Sequence, residues 1–254
     1  MSIVLMPLPN SDFDPTESGV PWIELVRRGH AVRFATPQGG VSRADPRMLD
    51  GTGLGLWKNL LRADRNGRAA YSSMSADAAF LHPWSYPRAA TEHIDGLILP
   101  GGHAPGMREY LESAPLRSLV AAAFARGIPV GAICHGVLVA ARARNDDGRS
   151  VLFGKTTTAL TRALELTASA LTPWLGNYYR TYPVTVQAEV TAALAAPSHF
   201  KAGPPALLRD SPERPERGFV VRDGNYLSAR WPGDAHRFAR EFARLLEAGP
   251  DRVR

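Results

Sequence analysis

The sequence has only one cysteine, which excludes an internal disulfide bond and any metal site built on several cysteines. It also lacks an apolar run of about 18 residues, the length that a membrane-spanning helix needs. The N-terminus carries neither the basic lead nor the small-residue cleavage site that are typical of an export signal. A free thiol without such a signal predicts a cytoplasmic protein with no membrane partner.

Lysine is scarce as well: only Lys58, Lys155 and Lys201 occur among 30 basic residues. The net charge of +6 and the pI near 9.8 are compatible with nucleic-acid binding. However, the arginines are scattered, and neither a run of five basic residues nor a basic stripe interleaved with aromatic residues occurs. We therefore predict an arginine-rich solvated surface and no nucleic-acid partner.

Short apolar runs alternate with helical patterns, which is typical of an α/β fold with helices on both faces of a mostly parallel sheet. The first helix should end at Gly29, and Pro21 predicts either a start near Ser18 or a kink. Further helices are expected at 107–112, 116–126 and 235–247. The predicted strands are 2–6, 31–35, 94–99, 128–133 and 156–160, followed by a hairpin of 219–221 and 226–229.

Two segments interrupt this regular alternation. The pattern weakens at about 40–90, and since a structureless loop of that length is improbable, we predict a small cap or lid there. Residues 195–217 hold five prolines and should form an ordered surface excursion. The 254 residues are otherwise expected to form a single domain.

The most informative run is 128–136, in which an apolar strand stops at Cys134 and a helix of small residues follows at once. A sharp strand-to-helix turn of this kind exposes a nucleophile in a strained conformation. Gly131 and Gly136 leave room for the close approach of strand and helix. The helix N-terminus and His135 are expected to lower the pKa of the thiol, and the N–H groups of the turn can hold an oxyanion.

The run Gly-Ala-Ile-Cys-His-Gly at 131–136 resembles the nucleophile elbow of the ThiJ/PfpI superfamily, also called class I glutamine amidotransferase-like. Residues 97–103, Leu-Ile-Leu-Pro-Gly-Gly-His, and 223–233 are similar to two further motifs of that family. The resemblance implies a flavodoxin-like sandwich, with no cofactor and no metal. It also implies that Glu17 is a buried catalytic glutamate, and that Gly101, Gly102 and His103 bind substrate or its oxyanion.

The branches of this family differ in the residues that assist the catalytic cysteine. Glutamine amidotransferases use a distant His-x-Glu pair, but His199 and His236 are not followed by such a glutamate. The protease-named branch takes a glutamate from a neighbouring subunit. The chain resembles more the glyoxalase III-type heat-shock chaperones, which carry an acid about thirty residues after the cysteine; Glu165 stands at that place. The resemblance implies a triad of Cys134, His135 and Glu165.

The resemblance to this branch implies conversion of methylglyoxal or related 2-oxoaldehydes to 2-hydroxy acids without glutathione, with possible deglycase or chaperone activity. Cys134 would add to the aldehyde, and Glu17 would move a proton between neighbouring carbons. Two alternatives stay open: a thiol hydrolase (amidase or peptidase) that uses the same triad, and a non-enzymatic chaperone or oxidative-stress sensor. The family resemblance also implies a symmetric homodimer.

Overall fold

The computed structural model describes residues 1–248. Within them lie strands β1 (Ile3–Pro7), β2 (Ser11–Phe13), β3 (Ala31–Thr36), β4 (Arg43–Ala44), β5 (Trp84–Ser85), β6 (Gly96–Leu99), β7 (Val130–Ile133), β8 (Val220–Asp223) and β9 (Tyr226–Ala229). The helices are α1 (Pro15–Arg27), α2 (Pro46–Asp50), α3 (Lys58–Leu61), α4 (Arg65–Met74), α5 (Ala78–Leu81), α6 (Tyr86–Ala89), α7 (Met107–Leu111), α8 (Ala114–Ala125), α9 (Gly136–Arg142), α10 (Arg162–Leu171), α11 (Val186–Ala192) and α12 (Ala235–Ala248). Short 3-10 turns lie at Gly55–Trp57, Pro173–Leu175, Pro197–His199, Pro215–Arg217 and Pro232–Asp234.

Seven strands form one sheet in the order β5-β3-β1-β6-β7-β9-β8. Every neighbouring pair is parallel except the hairpin of β8 and β9. Helices α1, α4 and α12 pack together on one face, while α8, α9 and α11 pack on the other. The central strands β6 and β7 are buried at every residue, as parallel strands covered on both faces must be. This is the predicted doubly wound α/β sandwich.

The direction of winding reverses between β1 and β6. From β1 the chain moves outward to β3 and β5, then returns to β6 and continues through β7 to β9. The loops that follow β1, β6 and β7 therefore meet at the carboxyl ends of adjacent strands. In open α/β sheets, the crevice at such a switch point is where ligands bind.

The prediction of a regular strand at 156–160 is wrong. Only Thr157 pairs with another segment, in an isolated bridge to Phe200. It cannot pair with β9, because β9 already pairs with β7 on one side and with β8 on the other. The segment is instead held through side chains: Ser228 Oγ accepts the Thr158 N–H at 3.0 Å.

Of the two alternatives that Pro21 left open for the first helix, the start near Ser18 is wrong. The helix begins at Pro15, because the Asp14 carboxylate accepts the N–H groups of Thr16 and Glu17 and so caps the helix. Proline at the first helical position needs no N–H donor. Pro21 lies inside α1, and Gly29 follows its end with a positive φ of 78°.

The segment 40–90, predicted as a cap or lid, divides into two parts. In the second part, α4 packs against α1, and β5 is an edge strand of the main sheet. In the first part, α2, the turn Gly55–Trp57 and α3 lie over the carboxyl edge of the sheet, where Met48, Leu60 and Leu61 line a cleft. Among residues 1–248, none of the helices combines the length and hydropathy that crossing a membrane requires.

Candidate active site

Cys134 stands at the sharp turn between β7 and α9. It adopts a positive φ of 57°, which costs a non-glycine residue about 1–2 kcal/mol. Its side chain is buried, with 4% of the residue exposed. A Cβ on Gly136 would lie 2.1 Å from the carbonyl oxygen of Leu99, so only glycine lets α9 start this close to β6. The predicted elbow and the role of Gly136 in it are confirmed.

The Glu17 carboxyl lies beside Cys134, on the first turn of α1, and is fully buried. Its Oε2 accepts the N–H of Gly101 at 2.8 Å, and its Oε1 is buried with no hydrogen-bond partner among the described residues. A Cβ on Gly101 would lie 2.7 Å from Glu17 Oε2 and 2.9 Å from Cys134 Cβ. The missing side chain at Gly101 is therefore what allows the glutamate and the cysteine to meet.

The pKa shifts of Glu17 and Cys134 run against the expectation that the thiol pKa is lowered. Burial, followed by the negative charge of Asp14, raises the pKa of Glu17 well above its usual range. Burial and the charges of Glu17 and Asp14 likewise raise the pKa of Cys134 well above that of a free thiol. The hydrogen bond from the His135 N–H acts in the opposite direction but is a smaller effect. The predicted lowering of the thiol pKa is wrong.

The His135 ring lies between Cys134 and Thr181. Its Nδ1 lies 3.5 Å from Cys134 Sγ, and its Nε2 lies 3.1 Å from Thr181 Oγ1. The Thr181 hydroxyl has one proton, which it donates to the carbonyl of His103 at 2.7 Å. It can therefore only accept from His135, which places the ring proton on Nε2 and leaves Nδ1 free to accept from the thiol. Burial lowers the pKa of His135 to about 3, so the ring is neutral.

Glu165 does not occupy the place that the triad requires. Its Oε2 accepts the N–H of Val186 at 2.9 Å, and its Oε1 lies 3.3 Å from Arg180 Nε. No hydrogen bond joins it to His135 within residues 1–248, although both Glu165 and Cys134 line the same cleft. The ring nitrogen that a triad acid would hold is instead bound by Thr181. Thr181 could not be predicted, since it belongs to no motif and lies in no helix or strand.

The glycine turn after β6 contributes one unoccupied donor. The Gly101 N–H, predicted for the oxyanion, is taken by Glu17. The Gly102 N–H donates to no group among the described residues, and Gly102 lines the cleft. Its φ of 151° and the position of the Asp12 carbonyl, 2.8 Å from where a Cβ would stand, require glycine there. Gly102 is thus the better placed donor of the predicted pair.

His103 stacks on Tyr179 with ring centroids 4.3 Å apart and meets Tyr178 edge-on at 4.7 Å. Its Nε2 is buried and has no partner among the described residues. Burial lowers the pKa of His103 to about 3, so it too is neutral. His103 lines the cleft, but its ring lies 6.5 Å from that of His135 and makes no hydrogen bond with it in the described structure.

The cleft that reaches Cys134 has a volume of about 200 Å³. Asp14, Glu17, Gly102 and Cys134 lie on its walls together with a larger number of apolar side chains. In the part of the chain that the structure describes, no three His, Cys, Asp or Glu side chains are grouped as they would be to hold a metal ion.

Comparison with known proteins agrees with this geometry. The family model described as "ThiJ/PfpI family-like" matches residues 8–204, which include the elbow, the glycine turn and Glu17. The chain belongs to the ThiJ/PfpI-like family. The family model ends before the hairpin of β8 and β9 and before α12.

Several curated ThiJ/PfpI relatives are named deglycases. The deglycase PfpI of Pyrococcus furiosus is 23% identical over 93% of this chain and 95% of its own length. A deglycase of Pyrococcus horikoshii is 27% identical over 64% of this chain and 69% of its own length. An uncharacterised protein of Schizosaccharomyces pombe is 35% identical, but the match spans only 45% of this chain and 42% of that protein.

Solved structures share the fold over nearly the whole chain. Glyoxalase III from Candida albicans aligns with a TM-score of 0.67 and 17% identity, covering 98% of both chains. DJ-1beta from Drosophila melanogaster aligns with a TM-score of 0.56 and 19% identity, covering 98% of this chain and 92% of its own. At such identities the likeness concerns the fold.

Proposed function

We propose that the chain is a cofactor-independent cysteine enzyme that converts methylglyoxal or a related 2-oxoaldehyde to a 2-hydroxy acid. The observation that carries the proposal is the buried carboxyl of Glu17 beside the Cys134 thiol, with Gly101 between them. The deglycase names of curated relatives and the glyoxalase III among the structural neighbours support this class of substrate.

The first step is addition of the thiol to the aldehyde. His135 Nδ1 accepts the thiol proton as Sγ bonds to the aldehyde carbon, and the proton passes to the former aldehyde oxygen. The product is a hemithioacetal. Because burial keeps the His135 ring neutral, the imidazole passes the proton on without being held as a stable cation. Thr181 keeps the tautomer that this step requires.

The second step moves a hydrogen between neighbouring carbons. The Glu17 carboxylate removes the proton from the hemithioacetal carbon and returns it to the adjacent carbon, which turns the hemithioacetal into a thioester. The raised pKa of Glu17 makes its ionised form a stronger base than an exposed carboxylate. The N–H groups of Gly102 and His135 are the donors for the enediolate oxygen. Water then cleaves the thioester and releases the 2-hydroxy acid and the thiol.

The contact between His135 and Cys134 also suits a thiol hydrolase, which is the second candidate. Acyl transfer needs a nucleophile, a base and an oxyanion donor, and all three are present without Glu17. A carboxylate at the sulfur would add negative charge where an oxyanion forms, and this disfavours hydrolysis. Proton transfer between carbons, in contrast, requires a base at that position.

The proposal is tested by measuring lactate formed from methylglyoxal without glutathione. Wild-type protein should form lactate, whereas Cys134→Ala and Glu17→Gln should lose nearly all activity. Glu24→Gln is the matched control, because Glu24 lies on the same helix but pairs with Arg28 at the surface. Lactate formation that survives in Glu17→Gln, or hydrolysis of model amides that does not need Glu17, would favour the hydrolase.

A further inference from the structure

The walls of the cleft above Cys134 are apolar to an extent that methylglyoxal does not explain. Methylglyoxal offers a single methyl group for apolar contact. The cleft is lined by apolar side chains from α2 and α3, from α10 and the residue before its cap, and from two later loops: Met48, Leu60, Leu61, Leu160, Leu164, Ala168, Leu171, Ala206, Leu207, Trp231 and Pro232.

One face of α10 is directed at the cleft. Leu164, Ala168 and Leu171 are spaced at i, i+4 and i+7, so they lie in one row along the helix. All three are half-buried and line the cleft, whereas Ala163 and Ala170 on the same helix are exposed and do not. An apolar helix face is normally covered by other elements, but this one borders the cavity of about 200 Å³.

The mouth of the cleft is apolar as well. Leu60 is 57% exposed and Leu207 is 84% exposed, and both line the cleft. They belong to two distant segments that Arg209 joins, since its Nη2 donates to the carbonyl of Leu60 at 3.2 Å. The apolar lining therefore continues from the helix face to the opening.

Among the described residues that line the cleft, carboxyl groups outnumber guanidinium groups. Three of these residues carry carboxyl groups, and Arg209 carries the one guanidinium among the described lining residues. The guanidinium lies over the Trp231 ring at 5.4 Å and is held by the carbonyl of Leu60. The three carboxyl groups, which an anion would have to face, are Asp14, Glu17 and Glu165.

We propose that this cleft selects 2-oxoaldehydes whose ketone carbon carries a neutral apolar group of about the size of a phenyl ring. This rests on the proposed function and names the class of substrate within it. Each additional methylene held by a hydrophobic pocket changes specificity by roughly ten-fold or more. A substrate with an aryl or long alkyl group should thus be favoured over methylglyoxal by at least ~10-fold in kcat/KM.

The first test compares initial rates with phenylglyoxal and methylglyoxal in wild type and two variants. Ala168→Phe fills the cleft and should lower kcat/KM for phenylglyoxal at least ~10-fold more than for methylglyoxal. Ala170→Phe makes the same change at an exposed position of α10 and should leave the ratio of the two values unchanged. Leu164→Ala removes an apolar contact without filling the cleft. It should also lower the ratio of kcat/KM for phenylglyoxal to kcat/KM for methylglyoxal.

The second test uses the thiol itself and does not depend on turnover. Cys134 is the only cysteine, so alkylation reports on this site alone. N-benzyliodoacetamide should react faster than iodoacetamide, and iodoacetate slowest, after each rate is divided by that of the same reagent with glutathione. Ala168→Phe should abolish the advantage of the benzyl reagent, and Ala170→Phe should keep it.

The outcomes separate the two proposals. If neither aldehyde is turned over but the benzyl preference and its loss in Ala168→Phe are observed, the proposed function is refuted and the apolar selectivity of the cleft stands. If both aldehydes are turned over equally well and Ala168→Phe affects both alike, the function stands and the selectivity is refuted. Faster reaction with iodoacetate than with the neutral reagents would also overturn the selectivity.

Discussion

Cys134 and Glu17 occupy one buried site, and each negative charge there opposes the other. Burial and this mutual repulsion raise the pKa of both groups, and for the thiol they outweigh the hydrogen bond from the His135 N–H. In the proposed reaction, Cys134 therefore becomes nucleophilic as His135 takes its proton.

The first prediction concerns this titration. The midpoint of Cys134 alkylation against pH should lie above ~8.5, the ordinary pKa of a free thiol, because a raised pKa delays formation of the thiolate to higher pH. Glu17→Gln removes one of the opposing charges, so it should move the midpoint downward. The measurement is the rate of iodoacetamide labelling between pH 6 and 11. A wild-type midpoint below 8.5, or an upward shift in Glu17→Gln, would contradict this description of the pair.

The second prediction concerns Thr181 and Glu165. Thr181→Val keeps the shape but removes the acceptor of His135 Nε2–H, so kcat should fall by about 10–100-fold, part of the range of general-base assistance. Thr181→Ser keeps the hydroxyl and should retain most of the wild-type kcat. Glu165→Gln, which leaves His135 untouched, should have the smaller effect. Equal losses in Thr181→Val and Thr181→Ser, or a larger loss in Glu165→Gln, would return Glu165 to the triad.

At the scale of elements, the parts of the site that local sequence determines were predictable. An apolar strand that stops at Cys134, with a helix of small residues directly after it, was enough to predict the sharp turn. A Cβ on Gly131 would lie 2.8 Å from both Phe238 and Phe242 on α12, so its reason lies in packing on the opposite face. Local sequence therefore predicts the turn, but it does not predict which distant segments pack against the turn.

What the sequence did not reveal depends on packing between distant segments. Glu165 stands at the expected distance along the chain, but the N–H of Val186 at the start of α11 binds its carboxylate. Thr181 comes from an irregular segment between α10 and α11 that has no periodic pattern. The segment 40–90 gave no motif, since part of it joins the sheet and part covers the cleft. These arrangements follow from tertiary contacts, not from local propensity.

The third prediction tests the packing of the elbow. Gly136→Ala should destabilise the fold by about 3 kcal/mol or more, because the new Cβ would meet the backbone of Leu99, which has no freedom to move aside. Gly154→Ala is the matched control: nothing lies within 4 Å of its added Cβ, so the change should stay within about 1 kcal/mol. Urea unfolding of both variants measures the difference. Equal stability of the two would show that α9 and β6 can separate without cost.

At the scale of the whole molecule, the homodimer stays a prediction. Cys134, His135, Glu17 and Thr181 all belong to one chain, so each subunit should hold a complete site. Light scattering should give twice the mass of the chain, and mixing Cys134→Ala with Glu17→Gln should restore no activity. A stable monomer would refute the dimer, and activity regained on mixing would show that subunits share the site.

The central claim is that Glu17 moves a hydrogen between adjacent carbons of a substrate bound to Cys134. The most direct measurement is the lactate formed from methylglyoxal in deuterated water, analysed by NMR for deuterium at carbon 2. A hydrogen carried by a carboxyl group that exchanges with solvent predicts deuterium at that carbon. Glu17→Gln should form almost no lactate, although mass spectrometry should still detect methylglyoxal added to Cys134. Lactate without deuterium at carbon 2, or full activity in Glu17→Gln, would contradict the claim.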